Sequence, residues 1–566
     1  MDATPTPTPA QPHARPPADV NYTFNEAELE ALTAYGEVRR HEAGAILVHE
    51  GDRRVDNLIT LSGQTDIFVE GKDGPTRLGW MERGQFSGDI GVLTGQTSLA
   101  SVTMGEAGEV LHIPFEQFQR LLVENSALSD IFVRTFTARR VFARTRTDAP
   151  VIVLGSALDR SVFALRDFLT RHGAPHSWYD PVTDRLGAQL LEAKGLQPAD
   201  LPVVVMGAQR VLIKPTVNDI AAELGSDLLP DGAAADVIVV GAGPAGLAAS
   251  VYAGSEGLTV LTLDADAPGG QAGTSSKIEN YLGFPMGVSG RELADRAAIQ
   301  AQKFGVRLAA PVKASKLQPL EDGAYCVHTE DGRMLNARAV VIATGAQYRR
   351  LPIENLEQFE GRGVYYGASP LEAQLCSNSD TVVVGAGNSA GQGAVFLSRT
   401  ARSVHVMYRR ADIRDTMSEY LVRRLEEAPN IHLHPQTEID RMIATEGNET
   451  RLAAMDLTTP GGPVRLEAGF AFLFIGAAPF TQWLPDAVAR DTRGFLKTGP
   501  ELETLDLVRA GWTLDRMPSV FETSLPRVYA VGDVRAGSVK RVASGVGEGS
   551  VVVSHIHGAL GEVARA

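Results

Sequence analysis

Apolar and polar positions alternate differently along four parts of the chain. Residues 1–19 repeat Pro, Ala and Thr and contain too few apolar side chains to form a core, so they predict a disordered tail. Residues 20–147 show short alternating runs with Gly-rich turns, followed by helical spacing from Phe115 to Arg146. This order predicts a β-barrel or jelly roll closed by helices.

Residues 148–226 alternate between strand and helix patterns. A strand from Val151 to Leu154 is followed by helix, strand, helix and two further strands, and a last helix runs from Val217 to Leu224. The pattern predicts a small α/β domain. A linker at 227–235 leads into the remainder of the chain, and the whole is predicted to be an α/β multidomain protein.

Two apolar runs in the remainder each enter a Gly-rich turn that opens a helix. The two turns read Gly241-Ala242-Gly243-Pro244-Ala245-Gly246 and Gly385-Ala386-Gly387-Asn388-Ser389-Ala390. Glycines at this spacing allow a tight turn, the approach of a pyrophosphate and close helix packing. The helix N-terminus then stabilises the phosphate charge. The pattern predicts two dinucleotide sites in Rossmann-like, three-layer domains.

The residue twenty-three positions after each first glycine indicates which nucleotide binds. In the first copy it is Asp264, a carboxylate placed to accept hydrogen bonds from a ribose. In the second copy it is Tyr408, and Arg409, Arg410 and Arg414 follow it. Arginines pair with a 2′-phosphate, which a carboxylate would repel. The second site is therefore predicted to prefer NADPH over NADH, and two such sites in one chain predict a flavoprotein.

Composition narrows the possible partners. The chain has 566 residues and a formal net charge of -15, which disfavours contact with nucleic acid or an anionic membrane. It shows no apolar run of membrane-spanning length and no secretory signal, so a cytoplasmic location is expected.

Its two cysteines, Cys326 and Cys376, exclude a Cys-x-x-Cys motif and a multi-cysteine metal site. They are expected to be buried and unpaired.

The N-terminal barrel resembles a cyclic-nucleotide-binding domain in the stretches GAILVHEGD, LITLSGQTDIFV and GQFSGDIGVLTGQTSLASV. The last stretch stands where that family has its phosphate-binding cassette. Asp89 replaces the glutamate that grips the ribose, and Ser98 replaces the arginine that clamps the phosphate. Because a buried phosphate needs a compensating cation, a degenerate sensor or docking module is preferred over cyclic-nucleotide binding, which stays open.

The α/β domain at 148–226 resembles a glutaredoxin or thioredoxin fold. The resemblance implies that Pro202 is its cis-proline. Residues 155–160, where the redox cysteines should follow the first strand, contain no sulfur. Disulfide exchange needs a thiolate, so this domain is expected to be redox-silent and to serve in packing or docking.

From Asp236 to Ala566 the chain resembles the low-molecular-weight thioredoxin reductase family. The resemblance rests on Gly269-Gly270-Gln271, Ile278-Glu279-Asn280-Tyr281, Ala343-Thr344-Gly345, Phe474-Ile475-Gly476 and Val531-Gly532-Asp533. It implies an FAD domain at 236–350 and 476–566, an NADPH domain inserted at 351–475, and a homodimer. Val542 replaces a glutamine of the family. The predicted FAD residues are Gly241, Gly243, Pro244, Ala245, Gly246, Asp264, Gly269, Gly270, Gln271, Asn280, Thr344, Gly345, Gly532, Asp533, Lys540, Arg541, Val542 and Ala543; those for NADPH are Gly385, Gly387, Asn388, Ser389, Ala390, Arg409, Arg410 and Arg414.

Where that family carries its redox-active Cys-x-x-Cys, the chain reads Gly367-Ala368-Ser369-Pro370. Hydride transfer from NADPH to flavin depends on apposed rings and is expected to survive, whereas transfer through a dithiol is not. No catalytic residue is singled out. The leading hypothesis is an NADPH-dependent flavoprotein oxidoreductase that passes electrons directly to a quinone, a small redox carrier or oxygen. The alternative is a non-turnover redox or nucleotide sensor gated by the barrel, which would bind a ligand or docking partner.

Overall fold

A computed structural model describes residues 20–71, 74–88, 90–144, 151–207, 210–226, 229, 231–275, 277–368, 370–445 and 451–563. The predicted tail, Asp89 and Ser369 lie outside these ranges. The chain divides into two units. The first holds Met1–Ser156, Gly173–Leu228 and Gln302–Gly305, and the second holds Ala157–His172, Leu229–Ala301 and Val306–Ala566.

The N-terminal part of the first unit is a pair of antiparallel sheets closed by helices, as predicted. Its elements are α1 (Glu26–Thr33), β1 (Glu37–His41), β2 (Ile46–Val48), β3 (Asn57–Thr60), β4 (Gln64–Gly71), β5 (Gly74–Met81), α2 (Ile90–Thr94), β6 (Ser101–Glu106), β7 (Gly108–Ile113), α3 (Phe115–Glu124) and α4 (Ser126–Arg144). The strand orders are β1-β7-β3 and β2-β6-β4-β5. In β6 the apolar Val102 and Met104 alternate with less buried neighbours, because successive strand residues face opposite sides of a sheet.

Aromatic side chains join the barrel to its closing helices. Phe132 on α4 lies 4.7 Å from Phe86 and 4.9 Å from Phe118 between ring centroids, with the rings edge to face. Arg139 on α4 donates to the Phe86 carbonyl at 2.8 Å. Phe86, Phe118 and Phe132 are fully buried. The helices are therefore part of the barrel core.

We expect Phe132→Ala to lower the free energy of unfolding of this unit by about 3–5 kcal/mol, because it leaves a cavity among packed rings. Urea denaturation followed by circular dichroism measures the change. Val123→Ala, at a position 61% exposed on α3, is the control and should change stability by less than about 0.5 kcal/mol. Equal effects of the two substitutions would contradict the role assigned to the aromatic cluster.

A β-α-β-α-β-β-α segment follows the barrel. It consists of β8 (Val151–Leu154), α5 (Arg160–Arg171), β9 (His176–Tyr179), α6 (Arg185–Ala193), β10 (Val203–Met206), β11 (Arg210–Ile213) and α7 (Val217–Leu224). The strand order is β11-β10-β8-β9, and the peptide bond before Pro202 is cis, as the resemblance implied. Helix α7 has a Thr216 capping box and ends at Gly225 in the left-handed region. Helix α5 groups with the second unit.

The sheets of the second unit include a mixed one and a wholly parallel one, and in each of these two a Gly-rich turn directly follows one strand. The elements in chain order are β12 (Ala234–Val240), α8 (Pro244–Ser255), β13 (Val260–Leu263), α9 (Gly290–Lys303), β14 (Arg307–Ala309), β15 (Ala314–Pro319), β16 (Tyr325–Thr329), β17 (Met334–Ile342), β18 (Ala346–Tyr348), β19 (Val364–Tyr365), α10 (Pro370–Leu375), β20 (Asp380–Val384), α11 (Asn388–Leu397), β21 (Ser403–Tyr408), α12 (Glu419–Glu427), β22 (Ile431–Pro435), β23 (Glu438–Ala444), β24 (Leu452–Thr459), β25 (Gly462–Glu467), β26 (Phe470–Leu473), β27 (Ala477–Pro479), α13 (Thr504–Ala510), β28 (Val528–Ala530) and α14 (Val542–Val563).

The larger sheet runs β14-β13-β12-β17-β16-β15, with β28 beside β17. Strands β12, β13, β14, β17 and β28 pair in parallel, whereas β15 and β16 are antiparallel. The smaller sheet runs β19-β26-β20-β21-β22 and is wholly parallel. We call these the first and second nucleotide halves. Strand β12 begins at Ala234, two residues before the predicted FAD range, and the other strands of the two sheets fall within the predicted FAD and NADPH ranges. The domain boundaries themselves stay predictions.

The two halves have separate apolar cores. Strands of the first half bury Val240, Leu263 and Ile342 in one cluster. Strands of the second half bury Val383 and Val406 in another. Parallel strands are covered on both faces, which explains their continuous apolar runs. Within the described ranges, no helix has the length and apolar character that crossing a membrane requires.

Candidate functional site

The first Gly-rich turn is held by close backbone contacts. Gly241 has a φ of +107°, and a Cβ there would lie 2.3 Å from the Ala343 carbonyl oxygen. A Cβ on Gly246 would lie 1.8 Å from the Gly241 oxygen. The N-cap of α8 is Gly243, which offers no side chain to the first amide groups of the helix. The turn is therefore a cradle suited to an anionic group.

Asp264 follows β13 and binds backbone amides of this cradle. Its Oδ2 accepts from the Ala242 N–H at 2.7 Å, and its Oδ1 accepts from the N–H groups of Asp266 and Ala267 at 3.0 Å each. Burial raises the pKa of the Asp264 carboxyl, and these amide donors oppose that shift. The carboxyl joins the Gly-rich turn to the loop after β13.

The Gly269-Gly270-Gln271 motif lies against the same turn. A Cβ on Gly270 would be 3.1 Å from the Gly243 Cα, so the two backbones are almost in contact. The Gln271 side-chain amide donates to the Ala346 carbonyl, just after the Ala343-Thr344-Gly345 motif. Three stretches that are distant in sequence thus meet at the N-terminus of α8.

The loop that carries Asp533 is supported by α14. Glu548 on α14 accepts from the Gly532 N–H at 2.6 Å and from the Arg535 guanidinium at 2.8 Å. Lys540 donates to the Asp533 carbonyl at 2.5 Å, and burial raises the pKa of the Asp533 side chain. Glu548 and Arg535 belong to no recognised motif. The sequence feature that could have indicated Glu548 is its position as a lone carboxylate in an otherwise uncharged stretch of α14.

A charged pair on α5 reaches the loop after β13. Arg171 Nη2 lies 3.4 Å from the Ala267 carbonyl, and its Nη1 lies 3.6 Å from Asp167 Oδ2. Burial by itself would lower the pKa of Arg171. The nearby carboxylates of Asp167, Asp266 and Asp264 have the larger combined effect, so the pKa of Arg171 is raised. These residues lie about a hundred positions before the loop, and no local pattern in the sequence singles them out.

The second Gly-rich turn repeats the geometry of the first. Gly385 has a φ of +145°, and a Cβ there would lie 2.4 Å from the Phe474 carbonyl oxygen. Gly387 is the N-cap of α11 and again offers no side-chain cap. Asn388 accepts from the Ser418 N–H at 2.7 Å, which ties the turn to the segment before α12.

The predicted arginines follow β21 but differ in their surroundings. Arg409 and Arg410 are exposed, and Arg410 lies 3.7 Å from Asp415. Arg414 donates to Glu426 on α12 at 2.6 Å and is 3.6 Å from Glu419. The guanidinium of Arg414 is therefore already engaged by carboxylates, which the sequence did not indicate.

The segment in the place of the dithiol lies between the two nucleotide halves of this unit. A Cβ on Gly367 would be 3.3 Å from Thr274 Oγ1, three residues after Gln271. Tyr365 packs against Phe163 and Phe472, each 5.5 Å away between ring centroids. The segment stands beside a predicted FAD motif and carries no sulfur.

Both cysteines are buried and unpaired, which confirms the prediction. Cys326 lies on β16 of the first half, and Cys376 follows α10 in the core of the second half. Burial raises the pKa of each thiol, so neither is activated as a thiolate. Among the residues that the structure describes, no three His, Cys, Asp or Glu side chains are grouped to hold a metal ion.

The predicted residues of the first half mostly gather at the N-terminus of α8. The start of α14, which follows Lys540 and Arg541, belongs to this group, because a Cβ on Gly545 would be 3.5 Å from the Ala245 Cβ. Asn280 is exposed beside Glu279, which pairs with Arg424 of α12 at 2.7 Å. Asn280 thus neighbours a residue that contacts the second half.

Comparison with known proteins agrees with this geometry. Residues 235–549 match the pyridine nucleotide-disulphide oxidoreductase family, and residues 38–125 match the cyclic nucleotide-binding domain. A thioredoxin reductase of Treponema pallidum is 32% identical over 56% of this chain and 94% of its own length. An NADPH-dependent thioredoxin reductase 3 of Arabidopsis thaliana is 31% identical over 56% of each chain. The crystal structure of Lactococcus lactis thioredoxin reductase is 26% identical, covers 58% of this chain and 99% of its own, and has a TM-score of 0.50.

The chain belongs to the pyridine nucleotide-disulphide oxidoreductase family. Its relatives within that family include thioredoxin reductases, and it is a flavin-dependent oxidoreductase of that type with an added N-terminal cyclic nucleotide-binding domain. FAD and NADPH are the cofactors of this family, in agreement with the two predicted dinucleotide sites.

We expect Gly246→Ala to weaken FAD binding at least about tenfold, because the new Cβ would displace the Gly241 carbonyl and open the cradle. Titration of the flavin-free protein with FAD, followed by fluorescence, measures the dissociation constant. Gly558→Ala on α14 is the matched control, since a Cβ there meets nothing within 4 Å. Unchanged FAD affinity in Gly246→Ala would show that the close contact is not required.

Proposed function

We propose that this protein is an NADPH-dependent FAD oxidoreductase that passes electrons to its acceptor without a redox-active dithiol. The observation that carries this proposal is the position of Gly367, where a Cβ would lie 3.3 Å from Thr274 Oγ1, three residues after Gln271 of the first nucleotide half. A cysteine at this position would face the flavin site, and the chain has none. Its two thiols are buried elsewhere, so electrons need another route to the acceptor.

The first nucleotide half fits FAD. The uncapped α8 N-terminus and its glycine cradle suit the pyrophosphate, and Asp264 Oδ2, which accepts a single backbone hydrogen bond, keeps acceptor capacity for a ribose hydroxyl. When bound, FAD would accept a hydride from NADPH and release two electrons. We assign to it Gly241, Gly243, Pro244, Ala245, Gly246, Asp264, Gly269, Gly270, Gln271, Asn280, Thr344, Gly345, Gly532, Asp533, Lys540, Arg541, Val542 and Ala543.

The second half fits NADPH by the same argument. The α11 N-terminus is uncapped, and the exposed Arg409 and Arg410 directly follow Tyr408, the counterpart of Asp264 in the first half. Arg414 would have to leave Glu426 to contact a phosphate, so it contributes less than its neighbours or acts by positioning them. The remaining residues that we assign to NADPH are Gly385, Gly387, Asn388, Ser389 and Ala390.

Replacing Arg409 and Arg410 together by Ala should raise the KM for NADPH about 10- to 100-fold, because two charge-assisted hydrogen bonds to the 2′-phosphate are lost. The KM for NADH should change less than about threefold. Steady-state kinetics with ferricyanide as acceptor provides both values. Arg423→Ala, which removes an exposed arginine of α12, is the control and should affect neither coenzyme. Equal losses for NADPH and NADH in the double variant would contradict the 2′-phosphate assignment.

The net reaction follows from the absence of a dithiol. With a quinone, NADPH and one proton yield NADP⁺ and the hydroquinone, so two electrons and two protons are transferred. With a one-electron acceptor, each NADPH reduces two acceptor molecules. The chain's own residues bind and orient the two nucleotides, and this transfer needs no acid or base beyond solvent protons.

Stopped-flow mixing with NADPH should bleach the flavin absorbance. Either ferricyanide or a quinone such as menadione should then sustain turnover. We expect thioredoxin and an aromatic disulfide to be reduced at least about a hundredfold more slowly, because no thiolate can attack them. The Cys326→Ala/Cys376→Ala variant should keep the quinone rate within about twofold. Substantial disulfide reduction by the protein would overturn the proposal, and flavin reduction without turnover on any acceptor would favour the sensor hypothesis.

The family resemblance supports a homodimer, and we propose that it acts in the cytoplasm on a small-molecule or protein electron acceptor. The net charge of -15 is unfavourable for a nucleic-acid or membrane partner.

A further inference from the structure

The hydrogen bonds of the cassette around Ser98 play no part in the proposed function. In the first unit, Thr97 and Ser98 precede β6, and Arg53 lies in the turn between β2 and β3. By the resemblance to cyclic-nucleotide-binding domains, this is where a phosphate would be clamped. We call Arg53, Thr97 and Ser98 the cassette end.

The hydrogen-bond donors of the cassette end are already bound to backbone carbonyls. The Thr97 N–H donates to the Leu224 carbonyl at 3.1 Å, and the Thr97 hydroxyl donates to the Glu223 carbonyl at 2.7 Å. The Ser98 N–H donates to Asp52 O, and its hydroxyl donates to Ala100 O, at 2.8 Å each. A phosphate at this position would therefore find its donors engaged.

Two of these acceptors belong to the last turn of α7, and Arg53 reaches a third. Its Nη2 donates to the Ala222 carbonyl, and its Nε lies 3.3 Å from Thr97 Oγ1. The last carbonyls of a helix have no partner within the helix and carry its partial negative charge. The cassette end thus supplies three donors to a helix C-terminus, in place of the donors that an anion would require.

A second contact holds the same two elements together. A Cβ on Gly207, in the turn after β10, would lie 1.6 Å from Glu50 Oε1. Glu50 stands three residues before Arg53, and its backbone N–H donates to Ser101 Oγ at 2.9 Å. The absence of a side chain at position 207 permits this approach. The carboxylate of Glu50 adds negative charge beside the cassette end, which disfavours a phosphate further.

We infer that the cassette end is an intramolecular docking site whose occupant is the C-terminal turn of α7, and that this occupant excludes the phosphate of a cyclic nucleotide. The N-terminal domain then acts as a clamp on the segment that contains β8 to β11. The same arrangement explains why Ser98 stands in place of the clamping arginine, since the cassette end binds carbonyl dipoles rather than a charged phosphate. This inference is independent of the proposed redox function.

Hydrogen-deuterium exchange on the full-length flavoprotein tests the docking. In Arg53→Ala/Thr97→Val, amides of residues 217–226 should exchange about tenfold faster than in wild type, because the contacts that hold α7 are lost. Arg39→Ala/Thr33→Val is the matched control, since both side chains are exposed in the same domain away from the cassette. Unchanged exchange of α7 in a variant that retains its fold and flavin would overturn the inference.

A second pair of variants changes the contact at Gly207, in the turn after β10, and provides a control for misfolding. Gly207→Ala should also accelerate exchange of α7, because its Cβ would meet Glu50 and because the backbone there has a φ of +58°. Adding Glu50→Ala should restore part of the slower exchange, since it removes the collision and leaves the backbone strain. A failure of Glu50→Ala to slow exchange would argue against the docking contact.

Titration with fluorescent MANT-cAMP and MANT-cGMP tests the exclusion. Wild type should show no saturable binding at micromolar concentrations of either probe. The same holds for Ser98→Arg, since the carbonyls of α7 remain in place. Saturable micromolar binding by wild type, with α7 exchange unchanged by the bound probe, would overturn the inference.

Discussion

The first nucleotide half depends on backbone segments that approach more closely than any side chain would allow. Gly241 passes the Ala343 carbonyl, and Gly246 lets α8 begin directly above the Gly241 oxygen. The same closeness continues on the far side of α8, where a Cβ on Gly549 of α14 would lie 2.1 Å from the Ala245 carbonyl. Because α14 sits so near, Glu548 can reach the loop of Asp533. The nucleotide cradle and its supporting acid are thus consequences of one packing constraint.

Two regions of the chain differ in whether they favour a bound anion. Buried carboxylates shape the first region, and backbone carbonyls shape the second. In the first nucleotide half, Asp264 and Glu548 bind loop amides, and the start of α8 keeps its own amides for a ligand. At the cassette end, donors of Thr97 are bound by the last carbonyls of α7. Helix N-termini attract phosphate and helix C-termini repel it. Two regions that both resemble nucleotide sites therefore differ in what they can hold.

The position of Gly367 connects the absence of a Cys-x-x-Cys motif with the proposed redox chemistry. Gly367 lies beside Thr274, three residues after Gln271 of a predicted FAD motif. Cys376 lies buried in the core of the second half, and burial raises its pKa. A thiol in such surroundings remains protonated and inaccessible, which makes it a packing group. The family scaffold thus retains its nucleotide geometry, while the dithiol that would act on disulfides is missing from the sequence.

Local patterns in the sequence were enough to predict many elements and both nucleotide turns. Strand β8 and helix α7 have the predicted bounds, since the apolar run of one and the Thr216 and Gly225 caps of the other act within a few residues. The support from Glu548, the pair at Arg171 and the engagement of Arg414 by Glu426 were not visible. Thr97 and Glu223 are 126 residues apart, and only the packing of their elements brings them together. Residue type and spacing determine what a segment can form, whereas tertiary packing decides which distant donor meets which acceptor.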